Sequence, residues 1–483
     1  MTTGKALNGK PYAGNPHVRF DEGEVASVVT PRRGSLLYNM RKQTWKAAVS
    51  AAAIAATATI PMAANADTDG TVTINGVTWT YTNRNDTDKT VTLGASGSMS
   101  TSTWKTAMPK NTSIDAANIP WFMVIDGETY TVTRVGQYAF AGCRSMTGTL
   151  AIPATVTGID TRAFWAVSGL NMVSTLGGTT ALGSYAFYFS SSEGILKGGF
   201  PDLSKVTTLG TGPFLNCTTL DGEVVLNPEL TSIPTRCFEN TALSRVAIPR
   251  SVTSISEKAF MKTKLTAFVL PGPSDSQSHV TINTANAFNG CDGLKVALFG
   301  RNAWGNTLSA GTMLKDVSGC AVFVPANGHW NNLVTGGDNN QVIYYGQGQE
   351  LDIEMDDVSK TITATPTTVH TLTNVLNAAS PLKRGASWNT KISVTNAIDL
   401  AGVTITETMT QAVTFDKLVF SAKTQSQLNN LLDTFPATTP ISIDPTGLTE
   451  NMVIPDTYPN VFVKAVPGVI IRRTANGFII TVK

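Results

Sequence analysis

Asp352, Glu354, Asp356 and Asp357 form a carboxylate cluster, and paired carboxylates flanking a glycosidic bond are the minimal apparatus for hydrolysing it. Alternation along a strand places Asp352, Glu354 and Asp356 on one solvent-facing side. The cluster therefore reads as a solvated strand or a weak calcium site, and the spacing of an EF-hand loop is absent. Beyond residue 66 the only histidines are His279, His329 and His370. No Cys-x-x-Cys or His-x-x-x-His spacing occurs, so no zinc site is expected. His329, next to Trp330, reads as a surface or cap histidine. There is no G-x-S-x-G nucleophile elbow, and Gly177-Gly178 lacks the Lys-Ser/Thr of a phosphate loop. The expectation is a protein that is not an enzyme and needs no cofactor. A carboxylate-based hydrolase in residues 350–483 is the one catalytic alternative, and that segment offers a single histidine, His370, and no cysteine.

The elements that position such groups are bounded by length and composition. The chain has 483 residues, long enough for two or three domains. It is 42% hydrophobic and only 14% charged, so its surface rests on Thr, Ser, Asn and Gly, as in exported β-rich proteins. Residues 1–66 hold eight Lys/Arg and three Asp/Glu, which leaves 28 and 31 of the 36 and 34 in the whole chain. A remainder with a net charge near −3 offers no electrostatic footprint for nucleic acid.

Part of the N-terminal basicity belongs to a targeting segment. Arg41, Lys42 and Lys46 precede a largely apolar run from Ala47 to Ile60, and Ala64-Asn65-Ala66 fits the A-x-A cleavage pattern. Residues 40–66 thus read as a secretory signal peptide cleaved near Ala66. Residues 1–39, polar and broken by Gly and Pro, read as an unstructured leader or an over-extended gene start. No later run of about 18 apolar residues occurs, so a membrane-integral protein is not expected.

The dominant signal is an internal repeat. Phe140, Phe164, Phe187, Phe214, Phe238, Phe260 and Phe288 follow one another at steps of 24, 23, 27, 24, 22 and 28 residues, five of them preceded by Ala. Five residues before Phe stand Val135, Ile159, Leu182, Leu209, Ile233 and Ile255. Eight before stand Val132, Val156, Val206, Leu230, Val252 and Val280. Apolar-Pro steps such as Ile152-Pro153 and Ile248-Pro249 close short β-prone stretches, because Pro cannot donate to a continuing ladder. The period predicts a coil of short strands and tight turns whose units stack and share one elongated core, with Phe inside it.

Val252-Thr253-Ser254-Ile255-Ser256-Glu257-Lys258-Ala259-Phe260, with the apolar-Pro step before it and Cys-x-x-Leu after Phe in several units, resembles the BspA-type leucine-rich repeat. The resemblance covers about residues 120–325, and Ile125 to Val132 resembles the family's usual first unit. It implies a mainly β, right-handed leucine-rich-repeat solenoid of short parallel strands with tight helical turns. It also implies export to the bacterial surface and a link to adhesion or host-protein binding. The sequence departs from the pattern at Thr179, at Asn283 and in the polar insertion from Gly272 to His279.

Cys143, Cys217 and Cys291 share one repeat position. Three rungs at about 4.8 Å each separate successive members by roughly 14 Å, beyond the ~7 Å between Cα atoms that a disulfide spans. They read as small core residues; Cys237 and Cys320 are left open. The position after Phe holds Trp165 and Tyr188 on consecutive units, a candidate exposed aromatic ridge for an extracellular protein or glycan. The outward strand positions Thr149/Ala151, Glu223/Val225, Arg245/Ala247 and Ala267/Val269 are small and mixed. Residues 67–119 read as an N-terminal β cap, 120–345 as the solenoid, Gly346 to Gln349 as a hinge, and 350–483 as a β-rich C-terminal domain. That domain carries strands at Thr361–Ala364, Lys391–Val394, Val403–Ile405, Leu418–Phe420 and Phe478–Val482, and a helix at Gln425–Phe435. The function expected is a secreted or surface-exposed binding or adhesion protein. The alternative is a structural spacer that displays the C-terminal domain.

Overall fold

The computed structural model describes residues 69–482, apart from 95–105, 110, 190–197, 273–278, 283–285, 301, 304–312, 327–329, 331–338, 396, 400–411, 436 and 438. The leader, the signal peptide, His329 and the strand at Val403–Ile405 lie outside the described residues.

Each coil is built from two short strands and a turn. The longer strands, among them Met146–Ala151, Leu170–Thr175, Leu220–Val225, Ala242–Ala247, Ala267–Leu270, Val296–Phe299 and Ala321–Pro325, stack in parallel with their neighbours. Their alternation is physical: in Ala242–Ala247, Leu243 and Val246 are buried while Ser244 is exposed. The second set is only two residues long in most coils, as in Gly158–Ile159, Ala181–Leu182 and Ser254–Ile255, and also pairs in parallel. The residue five before Phe is buried at Val135, Ile159, Leu182, Ile233 and Ile255 and half-buried at Leu209. The fold is therefore the mainly β, parallel-strand solenoid expected.

The turn that carries Phe forms a third ladder. The Phe140 amide donates to the Ala163 carbonyl, Phe164 to Ala186, Phe187 to Pro213, Phe238 to Ala259 and Phe260 to Ala287. Within each turn, i to i+3 bonds such as Ala139 N–H to Gly136 O and Cys143 N–H to Phe140 O fix the bend. Two residues before Phe, the backbone is left-handed at Tyr138, Arg162, Tyr185, Arg236, Lys258 and Asn286, with φ between 56° and 63°. Such a conformation costs roughly 1–2 kcal/mol in a residue with a Cβ; the carbonyl ladder offsets it, and the side chain is thrown outward.

The seven phenylalanines are fully buried, and successive rings lie parallel at 5.0, 5.2, 5.8, 6.1, 5.6 and 5.4 Å between centroids. Trp79 meets Phe140 edge-on at 6.4 Å at one end, and Trp330 stands against Phe299 at the other. Phe288 donates its amide to the Met313 carbonyl, so Met313-Leu314 supplies an eighth turn of the Ala-Phe type that the phenylalanine count misses. Threonine recurs seven residues before Phe, at Thr133, Thr157, Thr180, Thr207, Thr231 and Thr253. The hydroxyls of Thr157, Thr180 and Thr207 donate to the carbonyl of the preceding threonine at 3.2–3.3 Å.

At the N-terminal end the strands Gly70–Ile74, Val77–Asn85 and Thr90–Leu93 extend the sheet, antiparallel to each other, before Thr90–Leu93 joins Glu128–Val135 in parallel. Phe122–Ile125 and Glu128–Val135 form a hairpin whose Asp126-Gly127 turn takes positive φ at both residues.

Past Tyr345, a seven-stranded sheet contains Leu351–Asp356, Thr361–Pro366, Asn389–Ser393, Val413–Ser421, Ile441–Asp444 and Val461–Val463, parallel except at its first pair. Gly346 to Gln349 is a tight turn closed by Gly346 N–H to Leu351 O. Among the described residues two helices flank the sheet: α1, Val369–Ala386, and α2, Gln425–Thr434, each with a threonine capping box. α2 is the helix expected at Gln425–Phe435. α1 is absent from the sequence reading, although Leu372, Val375, Leu376, Ala379 and Leu382 are spaced as one helical face; Pro381 and Gly385 disguise it. α1 packs on the outward side of the last solenoid strands, so Ala267, Val269, Val296, Leu298 and Phe323 share a core with Leu372, Val375 and Leu376. The outward pair Ala267/Val269, read from sequence as surface, is therefore buried. Arg250 pairs with Asp357 at 3.2 Å and Arg245 donates to the Arg384 carbonyl at the end of α1, which favours a cation there. The described residues form one compact unit. Among the described residues no helix is long and apolar enough to cross a membrane.

Candidate functional site on the turn face

The left-handed turn residues decide what the turn face displays. Tyr138, Arg162 and Tyr185 occupy that position on three consecutive coils, and Trp165 and Tyr188 occupy the position after Phe on two of them. Together they make one strip. Arg162 stands in its middle, with its guanidinium carbon 5.6 Å from the Tyr138 ring centre, 5.4 Å from Tyr185 and 5.7 Å from Trp165, in the range of cation–π attraction. It also donates to the Tyr138 hydroxyl at 2.5 Å.

Trp165 and Tyr188 are stacked, with ring centres 6.4 Å apart and planes 7° from parallel. Tyr138 meets Trp165 edge-on at 6.5 Å, and Tyr185 meets Tyr188 edge-on at 5.8 Å. Both Trp165 and Tyr188 are half-buried. One face of each ring is turned to the other. Sequence reasoning names these two residues and misses Tyr138, Arg162 and Tyr185. The signal for the missed three was their fixed offset, two before Phe.

A groove of about 360 Å³ runs beside the strip, lined by Arg134, Gln137, Asp160, Thr161, Ser184 and Thr208 among others. Arg134 forms an ion pair with Asp160 at its edge. Its floor is shallow because Gly183 and Gly210 pack backbone to backbone: a β-carbon on Gly210 would stand 2.7 Å from the Gly183 carbonyl carbon. Thr161 and Ser184 of the groove directly precede Arg162 and Tyr185 of the strip, which makes the two one continuous surface.

The same turn row continues through Leu215 and Glu239. Glu239 is half-buried, and burial raises its carboxyl above the usual range despite Arg236, Lys258 and Lys262 nearby.

The other candidates are placed elsewhere. Asp352, Glu354 and Asp356 line the exposed side of their strand. Asp356 accepts from the Val358 amide and the Ser359 hydroxyl of its own turn, which hold its carboxyl below the usual range, while Asp357 turns to Arg250 and Lys360. His370 is exposed on α1, 3.2 Å from the Asn374 amide. The side chain of His279 lies outside the described residues. Among the described residues no three His, Cys, Asp or Glu side chains converge to hold a metal. Cys143, Cys217, Cys237, Cys291 and Cys320 are buried, and none forms a disulfide among the described residues. The Cys217 and Cys291 thiols donate to the Phe187 and Phe260 carbonyls at 3.1 and 3.0 Å. Burial pushes the Cys291 thiol up to about 11 and Cys320 to about 12.

A parallel-strand solenoid of repeats with an internal phenylalanine stack is a leucine-rich-repeat architecture. Residues 128–198 and 199–303 match the BspA type leucine-rich repeat region, in six copies, and this part of the chain is such a region. Among solved structures, the chain is similar to a leucine-rich cell surface protein of Faecalibacterium prausnitzii (18% identity, 77% of this chain, 97% of that one, TM-score 0.39). It is also similar to a leucine-rich repeat protein of Bacteroides ovatus (15% identity, 77% and 99%, TM-score 0.25). A third is the pneumococcal vaccine antigen PcpA (14% identity, 57% and 98%, TM-score 0.21). No curated protein matches the chain.

Proposed function

We propose that this is a non-enzymatic binding or adhesion protein of the bacterial surface or its surroundings, and that it engages a protein partner through the turn face of the solenoid. The observation that carries the reading is the strip of Tyr138, Arg162, Trp165, Tyr185 and Tyr188 on three consecutive coils. Tyr, Trp and Arg are the residue types in which binding energy concentrates at protein interfaces, and here each is held by its neighbours, so little side-chain entropy remains to be lost on docking. The BspA-type repeat supports export and surface display, as does the signal peptide read over residues 40–66.

A pull-down of surface and matrix proteins tests the proposal, with the wild type set against Trp165→Ala/Tyr188→Ala. A partner retained by the wild type and lost by the double variant supports it. Equal capture by both, or none by either, rejects the turn face and favours the spacer reading.

A further inference from the structure

A second concave surface lies far from the turn face in the fold, between α1 and the starts of the last solenoid strands. It encloses about 360 Å³, within the range of small-molecule sites, which favour such junctions. α1 lies over the strands at 267–270 and 296–299 and leaves the cleft open toward 319–321 and 341.

The polar lining is carboxamide, set among the small apolar residues Val296, Cys320, Ala321, Ala378 and Pro381. Asn374 and Asn377 of α1 face Asn339 and Gln341 of the solenoid, with Lys295 at the rim. Asn374 is buried, only 8% exposed. Pro381 lies inside α1 and lines the same cleft. Proline has no N–H, so the backbone carbonyl of Asn377, four residues earlier, has no i+4 donor in the helix. A helix-interior proline costs stability, and here the acceptor it releases belongs to a residue already in the cleft.

Asn339, Gln341 and Asn377 are exposed and supply both donors and acceptors with almost no charge, while the Asn374 side chain is engaged by His370. Lys295 is the one ion, and it is turned to the Ser318 carbonyl at 3.4 Å. No carboxylate lines the cleft, which argues against a cation, and a single lysine is poor provision for an anion. Carboxamides match vicinal hydroxyls, which donate and accept from adjacent carbons. We infer that this cleft binds a neutral, polyhydroxylated ligand of one or two sugar rings. The inference does not depend on the turn-face reading.

Titration calorimetry on the full chain, with methyl glucoside, N-acetylglucosamine, lactose and maltose as neutral probes and glucuronate as the charged one, tests it. At least one neutral sugar should bind. Asn377→Leu should weaken it about tenfold, the equivalent of one lost hydrogen bond. Gln341→Leu should weaken it likewise, and an unchanged melting temperature in both variants separates lost binding from lost folding. Val225→Ala, on an exposed solenoid strand outside the cleft, should leave the affinity unchanged. Binding of none of the neutral sugars, a preference for glucuronate, or sugar binding unmoved in both cleft variants would overturn the assignment.

Discussion

Gly385, in the last turn of α1, lies against the backbone of Ala267: a β-carbon at Gly385 would stand 2.8 Å from the Ala267 amide nitrogen. This contact seats the helix on the solenoid, with Arg245 closing the helix end beside it. Gly385→Ala sets two effects against each other. Helix propensity favours Ala by about 1 kcal/mol, and overpacking opposes it by roughly 1–3 kcal/mol. The neighbour is main chain and cannot rotate away, so a net loss of stability is expected, read as a lower melting temperature. A higher one would mean that α1 is not seated there.

Phe187 lies parallel between Phe164 at 5.2 Å and Phe214 at 5.8 Å. Phe187→Ala removes a fully buried ring that the coils above and below share, at a cost of roughly 3–5 kcal/mol. Repeat stability depends on nearest-neighbour interfaces, so the damage is expected at the centre of the solenoid. Urea denaturation followed by hydrogen exchange should show protection lost first around 160–215, and uniform loss along the chain would contradict the one-dimensional picture.

Glu239 carries the pH prediction. Its folded-state carboxyl is raised by burial, and the facing Arg236, Lys258 and Lys262 do not outweigh that effect, while Glu257 adds to it. A raised acid binds its proton more tightly in the folded state. Its stabilisation is therefore complete below the ordinary carboxylate range and falls as pH rises through the folded value. At pH 7 the charge is a liability. Glu239→Gln should raise the melting temperature at pH 7, and the gain should vanish near pH 3. An equal gain at both pH values would assign the effect to something other than ionisation.

Much of the solenoid is legible because its chemistry is periodic. A phenylalanine every 22–28 residues can be buried only if the chain returns to the same place each time, so Val252, Ile255 and Phe260 disclose one coil and their counterparts disclose the next. The eighth turn hides because Met313-Leu314 does the work of Ala-Phe with different side chains. Trp165 and Tyr188 were readable as neighbours from their shared offset. Arg162 was not, since an arginine in a turn reads as solvated until Tyr138 and Tyr185 are seen on either side of it.

The sequence by itself determined the repeat, its phase and the inward phenylalanines, because burial of a recurring apolar residue is a local, one-dimensional constraint. Only the tertiary structure decided which outward surfaces remain surfaces. α1 covers Ala267 and Val269 and leaves Val225, on an equivalent strand, 52% exposed. That outcome depends on a helix more than a hundred residues away along the chain, held by Gly385 and Arg245, and no periodicity in the strand records where such a helix will land.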